Sequence, residues 1–186
     1  MNNPTAPQRP HSLFIFVRGI EKLVVCIGKT VAWLNLLLIG VILVQVSMRY
    51  IFNYNSVALE ELQWHLYGVG IMMGLSYALT TNSHVRLDLF HARFSRTTKA
   101  WIDMVGLLIL VLPWCYVVIS HGMDFVAAAW RVSERSNSPG GLCCYWIIKS
   151  VLPISFGLFF LAALARIARA VLYLTGSIER NQQHGA

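Results

Sequence analysis

The sequence predicts an all-α membrane protein with four transmembrane helices, because of its composition and its four long apolar blocks. Of the 186 residues, 56% are hydrophobic and only 12% are charged, which is about half the charged fraction of a soluble domain. A hydrocarbon core about 30 Å thick needs roughly 20 apolar residues per helix. Each block is long enough and short connections join them, so we expect a single membrane domain over residues 12–175.

The apolar blocks define the predicted spans. The spans cover about residues 30–48, 62–83, 104–127 and 143–165. The segment before the first span mixes apolar and charged residues, which is typical of an N-terminal amphipathic helix lying in the membrane interface. The first span is too long for the apolar core of a signal peptide, so we expect a retained helix. Residues 1–11 are predicted to be disordered, and residues 176–186 to form a cytoplasmic tail.

The basic residues predict the orientation. If the spans alternate, eleven of the fifteen Lys and Arg residues fall on the side that holds both termini and the middle loop. By the positive-inside rule this side is cytoplasmic. The net charge of +7 is then explained as a topology signal, so we expect contact with membrane lipids and no nucleic-acid partner.

The interiors of the predicted spans lack the groups that a solute path needs. Helices that move ions or protons usually carry ionisable residues near mid-membrane, and the central parts of all four blocks have none. Glycine-rich breaks typical of a transporter binding site are also missing, although Pro113 and Pro153 can kink their helices. We therefore predict a partner subunit without catalytic residues, cofactor or metal.

Small residues form a stripe on the second span. Gly70, Gly74 and Ala78 repeat every four residues and so line one side of a helix. Such spacing lets another helix approach closely. Packing inside the chain's own bundle and contact with another subunit both remain open.

Three groups of residues suggest chemistry and are weighed against simpler roles. His65 and His121 both fall near the outer boundary, and two facing histidines could ligate haem in a membrane cytochrome b subunit, which is the alternative function. The four cysteines allow a thiol oxidoreductase, but none forms a CxxC pair, so we interpret them as small apolar residues. Glu60 and Glu61 complement the dipole of the second span, and an ion pair with Arg49 is plausible.

Several short motifs, taken in order, resemble a known family. They are "RYIFN", "EELQW", "GLSYAL", "HVRLDLF", "SERSNSPGGL" and "WIIKSVLPISFG". Their order and spacing resemble the small membrane subunit (DctQ type) of the tripartite ATP-independent periplasmic (TRAP) transporters, from about Arg49 to Gly157. One departure is "LAALAR", residues 161–166, where many relatives carry a glutamine.

The resemblance implies which residues have structural or interface roles. The residues that match the family's pattern are Arg49, Phe52, Asn53, Glu61, His84, Asp88, Glu134, Ser136, Gly140, Gly141, Lys149 and Pro153. The resemblance also implies a sodium-coupled importer of organic acids in a bacterial inner membrane. In it, a periplasmic solute-binding protein delivers the solute, a large multispanning subunit moves it, and the small subunit is a non-catalytic scaffold.

The "HVRLDLF" segment falls on the predicted cytoplasmic side. Its apolar residues can lie in the bilayer surface as a short interfacial helix. His84 and Asp88 are four residues apart and could pair on that helix. We expect replacement of either by alanine to weaken assembly or insertion.

Overall fold

A computed structural model describes residues 11–81 and 95–174, and all regular structure in these two ranges is helical. The helices are α1 (His11–Ala32), α2 (Leu34–Ile51), α3 (Val57–Thr80), α4 (Arg96–Gly106), α5 (Leu112–Arg131) and α6 (Tyr145–Leu174). A π-helical turn, Leu107–Val111, joins α4 to α5. The prediction of an all-α protein is confirmed.

Three helical stretches are long and apolar enough to cross a membrane. They are Ile15–Ile51, Thr97–Arg131 and Tyr145–Leu174, with 37, 35 and 30 residues. The one predicted span that is not among them, the second (about residues 62–83), corresponds to α3, whose 24 residues extend over roughly 36 Å. Its first half includes Gln63 and His65, so α3 is less apolar than the others. The count of four spans therefore stays a prediction, as does the orientation of the termini.

Helix α1 packs against the bundle and leads directly into α2. The two helices are interrupted only at Trp33, whose N–H donates to the Thr30 carbonyl at 3.2 Å. Val17 and Val24 of α1 are buried, while Lys22 and Lys29 are exposed, as expected for an amphipathic helix. α1 contacts α3 and α6. Its predicted position in the membrane interface remains a prediction.

Close approach between α1 and α3 depends on a glycine. A Cβ at Gly28 would lie 2.5 Å from Cδ2 of the Tyr77 ring, closer than atoms can approach without a shift. The Tyr77 ring therefore occupies the space that a larger residue would need. The motifs of the sequence gave no indication of this contact.

Helix α6 lies at the centre of the bundle and packs against α1, α3, α4 and α5. Half of its buried residues are alanines, among them Ala162 and Ala163, which are 3% and 0% exposed. They pack in one core cluster with Val24, Leu79 and Leu107. Small side chains permit this close packing. These two alanines lie in the "LAALAR" segment, where the sequence departs from the family pattern, and in this chain they pack in the core.

Polar and proline residues are accommodated between α6 and its neighbours. The buried Ser76 hydroxyl of α3 donates to the Ser155 carbonyl of α6 at 3.3 Å. Pro153 lies inside α6 and packs against Gly122 of α5, where an added Cβ would come within 3.4 Å of the proline ring. Pro113 lies in the first turn of α5, directly after the π-helical turn inside the continuous helical stretch Thr97–Arg131.

Candidate functional site

The loop between α5 and α6 folds back onto the beginning of α3, and this contact unites many of the predicted residues. The participating residues, called here the loop cluster, are Glu61, Glu134, Ser136, Gly141, Leu142 and Lys149. They come from α3, from the loop and from the first turns of α6, so the cluster joins three parts of the chain.

Glu61 is the acceptor at the centre of the loop cluster. One carboxylate oxygen accepts a hydrogen bond from the Ser136 hydroxyl. The other accepts the Leu142 N–H at 2.7 Å, and the Tyr145 side chain also donates to the carboxylate. The Ser136 and Leu142 hydrogen bonds, in that order, lower the pKa of Glu61, and partial desolvation opposes them. Glu61, just ahead of the predicted second span, is therefore held as a carboxylate that fixes the loop.

The loop closes on itself by backbone hydrogen bonds. Ser136 donates its N–H to the Leu142 carbonyl at 3.0 Å, and Gly141 donates to the Ser138 carbonyl at 3.1 Å. The Ser136 hydroxyl also accepts the Ser138 N–H at 3.1 Å. Together these bonds place Ser136 and Leu142 side by side, so that both can donate to one carboxylate.

Two neighbouring glycines are required here for different reasons. Gly140 has φ +77°, a left-handed conformation that favours glycine. A Cβ at Gly141 would lie 2.3 Å from the Ser136 Oγ and 2.8 Å from a Glu61 oxygen. A side chain at Gly141 would therefore displace the serine, the glutamate or both.

Glu134 and Lys149 form the second half of the loop cluster. Their side chains make a salt bridge of 2.5 Å, in which Lys149 is 15% exposed and Glu134 35% exposed. The Lys149 ammonium also lies 3.9 Å from the centre of the Phe125 ring, a favourable position for a cation. The Glu134 carbonyl accepts the Tyr145 N–H at 3.1 Å. This half attaches the loop to the first turns of α6 and to α5.

The family-pattern residues of the "RYIFN" motif lie outside the loop cluster. Arg49 and Phe52 are exposed at the end of α2. Asn53 adopts φ +51° just after α2, where a left-handed residue commonly ends a helix. Within the residues that the structure describes, Arg49 makes no ion pair with Glu60 or Glu61, because Glu61 accepts from the loop instead.

The stripe of small residues on α3 is only partly used inside the chain. A Cβ at Gly70 would lie 3.6 Å from the Asn35 side-chain oxygen, so this glycine faces α2. A Cβ at Gly74 would meet nothing within 4 Å, and Ala78 is half-buried. A contact of Gly74 and Ala78 with another subunit stays a prediction.

The two histidines have separate environments. The His65 ring packs edge-to-face with the Tyr145 ring, with 5.3 Å between centroids, beside the loop cluster. His121 is exposed on α5, which packs mainly against α6. Residues 11–81 and 95–174 contain no group of three or more His, Cys, Asp and Glu side chains that could hold a metal ion. In these two ranges, the imidazole rings of His65 and His121 do not contact each other.

The cysteines do not share one environment. Cys115 is buried in the bundle, whereas Cys26, Cys143 and Cys144 are exposed. The prediction that all four act as small apolar residues stays a prediction. His84 and Asp88, the charged pair of the "HVRLDLF" motif, lie outside the described residues.

A second group of charged residues was not foreseen from the sequence. Arg166 of α6 donates to the Leu79 carbonyl at 2.9 Å and to the Asp103 carboxylate at 3.0 Å. Arg169 pairs with Glu21 of α1. These residues, called here the arginine cluster, join α1, α3, α4 and α6; they are Glu21, Leu79, Asp103, Arg166 and Arg169. The positive-inside rule assigned both arginines to topology alone, and their spacing of three on one helix face was the available signal.

Comparison with protein families matches residues 38–172 to the family described as tripartite ATP-independent periplasmic transporters, DctQ component. The matched range covers most of the chain and includes every member of the loop cluster. Comparison with curated proteins found no match.

Proposed function

This chain belongs to the DctQ family of the tripartite ATP-independent periplasmic transporters, and from that membership we propose that it is the non-catalytic scaffold subunit of one such transporter. The proposal gives it two protein partners, a large multispanning membrane subunit and a periplasmic solute-binding protein. The family match over residues 38–172 is the observation on which the proposal depends.

The distribution of charge supports a scaffold. Residues 104–123 and 150–165, in two of the three apolar helices, contain no charged side chain. The described ion pairs instead lie outside these two ranges, as in Lys149–Glu134 and Arg166–Asp103. A bundle fixed at its ends, with an apolar middle, suits a subunit that holds a position while its partner moves.

The proposed topology has four crossings in a bacterial inner membrane, with α3 as the second and both termini in the cytoplasm. The excess of Lys and Arg on one side supports it. The loop cluster then faces the periplasm, where it can contribute to the surface that the binding protein meets. Reporter fusions after residues 54, 139 and 186 test this topology. Periplasmic activity is expected for the first two and cytoplasmic activity for the last.

Reconstitution tests the scaffold role. The chain, a large subunit encoded with it and the binding protein are purified, and uptake of a labelled organic acid is measured in liposomes under an imposed sodium gradient. We expect uptake with all three proteins and none with this chain alone. Uptake by this chain as a purified monomer would refute the scaffold role.

The driving ion and the solute class are tested in the same liposomes. Replacing the sodium gradient by an equal potassium gradient is expected to abolish uptake, because the family resemblance implies sodium coupling. Organic acids are expected to compete with the labelled solute, whereas uncharged analogues are not. Equal uptake with potassium, or competition by uncharged analogues alone, would contradict this part of the proposal.

A further inference from the structure

Two adjacent cysteines lie in contact on the loop that precedes α6. The Cys143 and Cys144 sulfurs are 3.2 Å apart, and the Cys144 thiol donates to Cys143. Both residues are exposed, so a reagent in solution can reach them. From this geometry we infer that Cys143 and Cys144 form a vicinal dithiol site, which a disulfide-bonded oxidant converts reversibly into an intramolecular disulfide.

The backbone brings the two side chains to the same side. In an extended chain, successive side chains point in opposite directions. Cys144, however, has φ +64°, a left-handed conformation that is uncommon for a residue with a side chain. This turn places the two sulfurs in contact, although the residues are neighbours in sequence.

The loop cluster holds both flanks of the pair. The Leu142 N–H, just before Cys143, donates to the Glu61 carboxylate at 2.7 Å. The Tyr145 N–H, just after Cys144, donates to the Glu134 carbonyl at 3.1 Å. Because both ends of this short segment are fixed, the sulfurs stay close together. A disulfide needs sulfurs about 2.0 Å apart, so closure must still draw the two sulfurs together. The Cα atoms of neighbouring residues lie about 3.8 Å apart, below the usual disulfide range, so the bond formed is strained and easily reduced.

The reaction is a two-step thiol–disulfide exchange. One cysteine thiolate attacks a sulfur of the oxidant and releases one half of it as a thiol, leaving a mixed disulfide. The second thiolate attacks the cysteine sulfur of that bond and releases the other half. In sum, the two cysteines lose two protons and two electrons, and the oxidant's disulfide is reduced to two thiols.

The order of attack follows from the hydrogen bond between the thiols. That bond, followed by desolvation and the neighbouring sulfur's charge, raises the pKa of Cys144, and Arg135 opposes the rise. Because the Cys144 thiol is the donor and the Cys143 sulfur the acceptor of that bond, we assign the first attack on the oxidant to Cys143. In the topology proposed above the pair faces the periplasm, a compartment that is kept oxidising.

The test uses the full chain in detergent, so that both faces are accessible, equilibrated with glutathione buffers of increasing oxidised fraction, then alkylated and analysed by mass spectrometry. The expected product is a peptide holding Cys143 and Cys144 without alkyl groups and lighter by two hydrogen atoms. Dithiothreitol should restore both alkylation sites. Cys26, an exposed single cysteine, reports that the oxidant reached the chain. Two alkyl groups on the pair under conditions that modify Cys26 would overturn the proposal, as would disulfide-linked dimers.

Two variants complete the test. Cys143→Ser should give a glutathione adduct on Cys144 and no loss of two hydrogens, because one thiol cannot close a ring. Glu61→Gln frees one flank of the pair, so half-oxidation should require a buffer more oxidising by at least about threefold. A two-hydrogen loss in Cys143→Ser, or half-oxidation of Glu61→Gln in the wild-type buffer, would contradict the assignment of a held vicinal pair.

Discussion

The two ends of the bundle are fixed by different means. Helix α6 contributes Lys149 to the loop cluster and Arg166 to the arginine cluster, which places the clusters roughly 25 Å apart. In the loop cluster one carboxylate accepts from a hydroxyl and a backbone N–H. In the arginine cluster two guanidinium groups donate to carboxylates and to one carbonyl. The loop-cluster end therefore depends on backbone conformation in addition to its Lys149–Glu134 salt bridge, and the other end depends mainly on side-chain charge.

This difference predicts how each end responds to substitution. A site specified by backbone conformation has no room for added atoms, so a methyl group should damage it. A site specified by charge should tolerate changes of shape but respond to removal of a partner, in proportion to how deeply that partner is buried.

Gly141→Ala should have the largest effect. The added Cβ would lie 2.3 Å from the Ser136 Oγ, so the loop must shift away from Glu61. Overpacking of this kind costs about 3 kcal/mol of unfolding free energy. Thermal unfolding of the purified chain in detergent measures it. Gly157→Ala is the matched control, because an added Cβ there meets nothing within 4 Å. Equal melting temperatures for the two variants would contradict the close packing at Gly141.

Arg166→Ala should have the next largest effect. Its side chain is 19% exposed, and its loss leaves Asp103 and the Leu79 carbonyl without this donor. We expect a loss of about 2 kcal/mol in the free energy of unfolding. Arg169→Ala is the matched comparison. Because the Arg169 side chain is 48% exposed, its removal should cost less than about 1 kcal/mol. A larger loss of unfolding free energy in Arg169→Ala than in Arg166→Ala would contradict this dependence on burial.

Lys149→Met should have a smaller effect. Methionine keeps an apolar side chain near Phe125 but removes the salt bridge to Glu134. Because Glu134 is 35% exposed, water can replace part of the interaction, and we expect a loss of about 1 kcal/mol. A double-mutant cycle with Glu134→Gln isolates the pair. Additive effects of the two substitutions would mean that this salt bridge contributes nothing to the loop cluster.

The smallest predicted effect is the change in stability with pH near neutrality, to which Glu61 contributes. The pKa of Glu61 is lowered in the folded chain, mainly by the Ser136 hydrogen bond. The ionised Glu61 carboxylate therefore contributes fully to the free energy of unfolding above the ordinary carboxyl pKa. This contribution is lost as the pH falls through the lowered pKa of the folded chain. The melting temperature of the wild type should exceed that of Glu61→Gln at neutral pH, and the difference should shrink in acid. A difference that grows in acid would contradict the assignment.

The turn inside the loop cluster was predictable from the sequence for a physical reason, whereas the arginine cluster was not. The contacts of Glu61 with Ser136 and Leu142, 75 and 81 positions away, were not predictable either. The "SERSNSPGGL" motif is local, and its glycines are required by a left-handed backbone and by a close contact within six residues. The Arg166–Asp103 and Arg169–Glu21 pairs join residues 63 and 148 positions apart. Only the packing of the helices brings them together, and no local pattern encodes that packing.

The helices themselves were predictable because apolar blocks are long, but their ends were not. Charged residues were taken as the limits of the spans, whereas α6 continues through Arg166 and Arg169 to Leu174. It continues because both arginines find carboxylates on neighbouring helices. Likewise α3 begins at Val57, ahead of Glu61, because the carboxylate is satisfied by the loop.

The central claim is that this chain is a fixed scaffold whose loop cluster maintains its structure for assembly. Its most direct test compares wild type and Gly141→Ala, each co-expressed with a tagged large subunit, by the yield of co-purified complex and by uptake per reconstituted complex. We predict a lower yield for the variant and, when the binding protein is added in saturating amount, unchanged uptake per complex. A normal yield with uptake lost would contradict the scaffold role and would assign the loop cluster a direct part in transport.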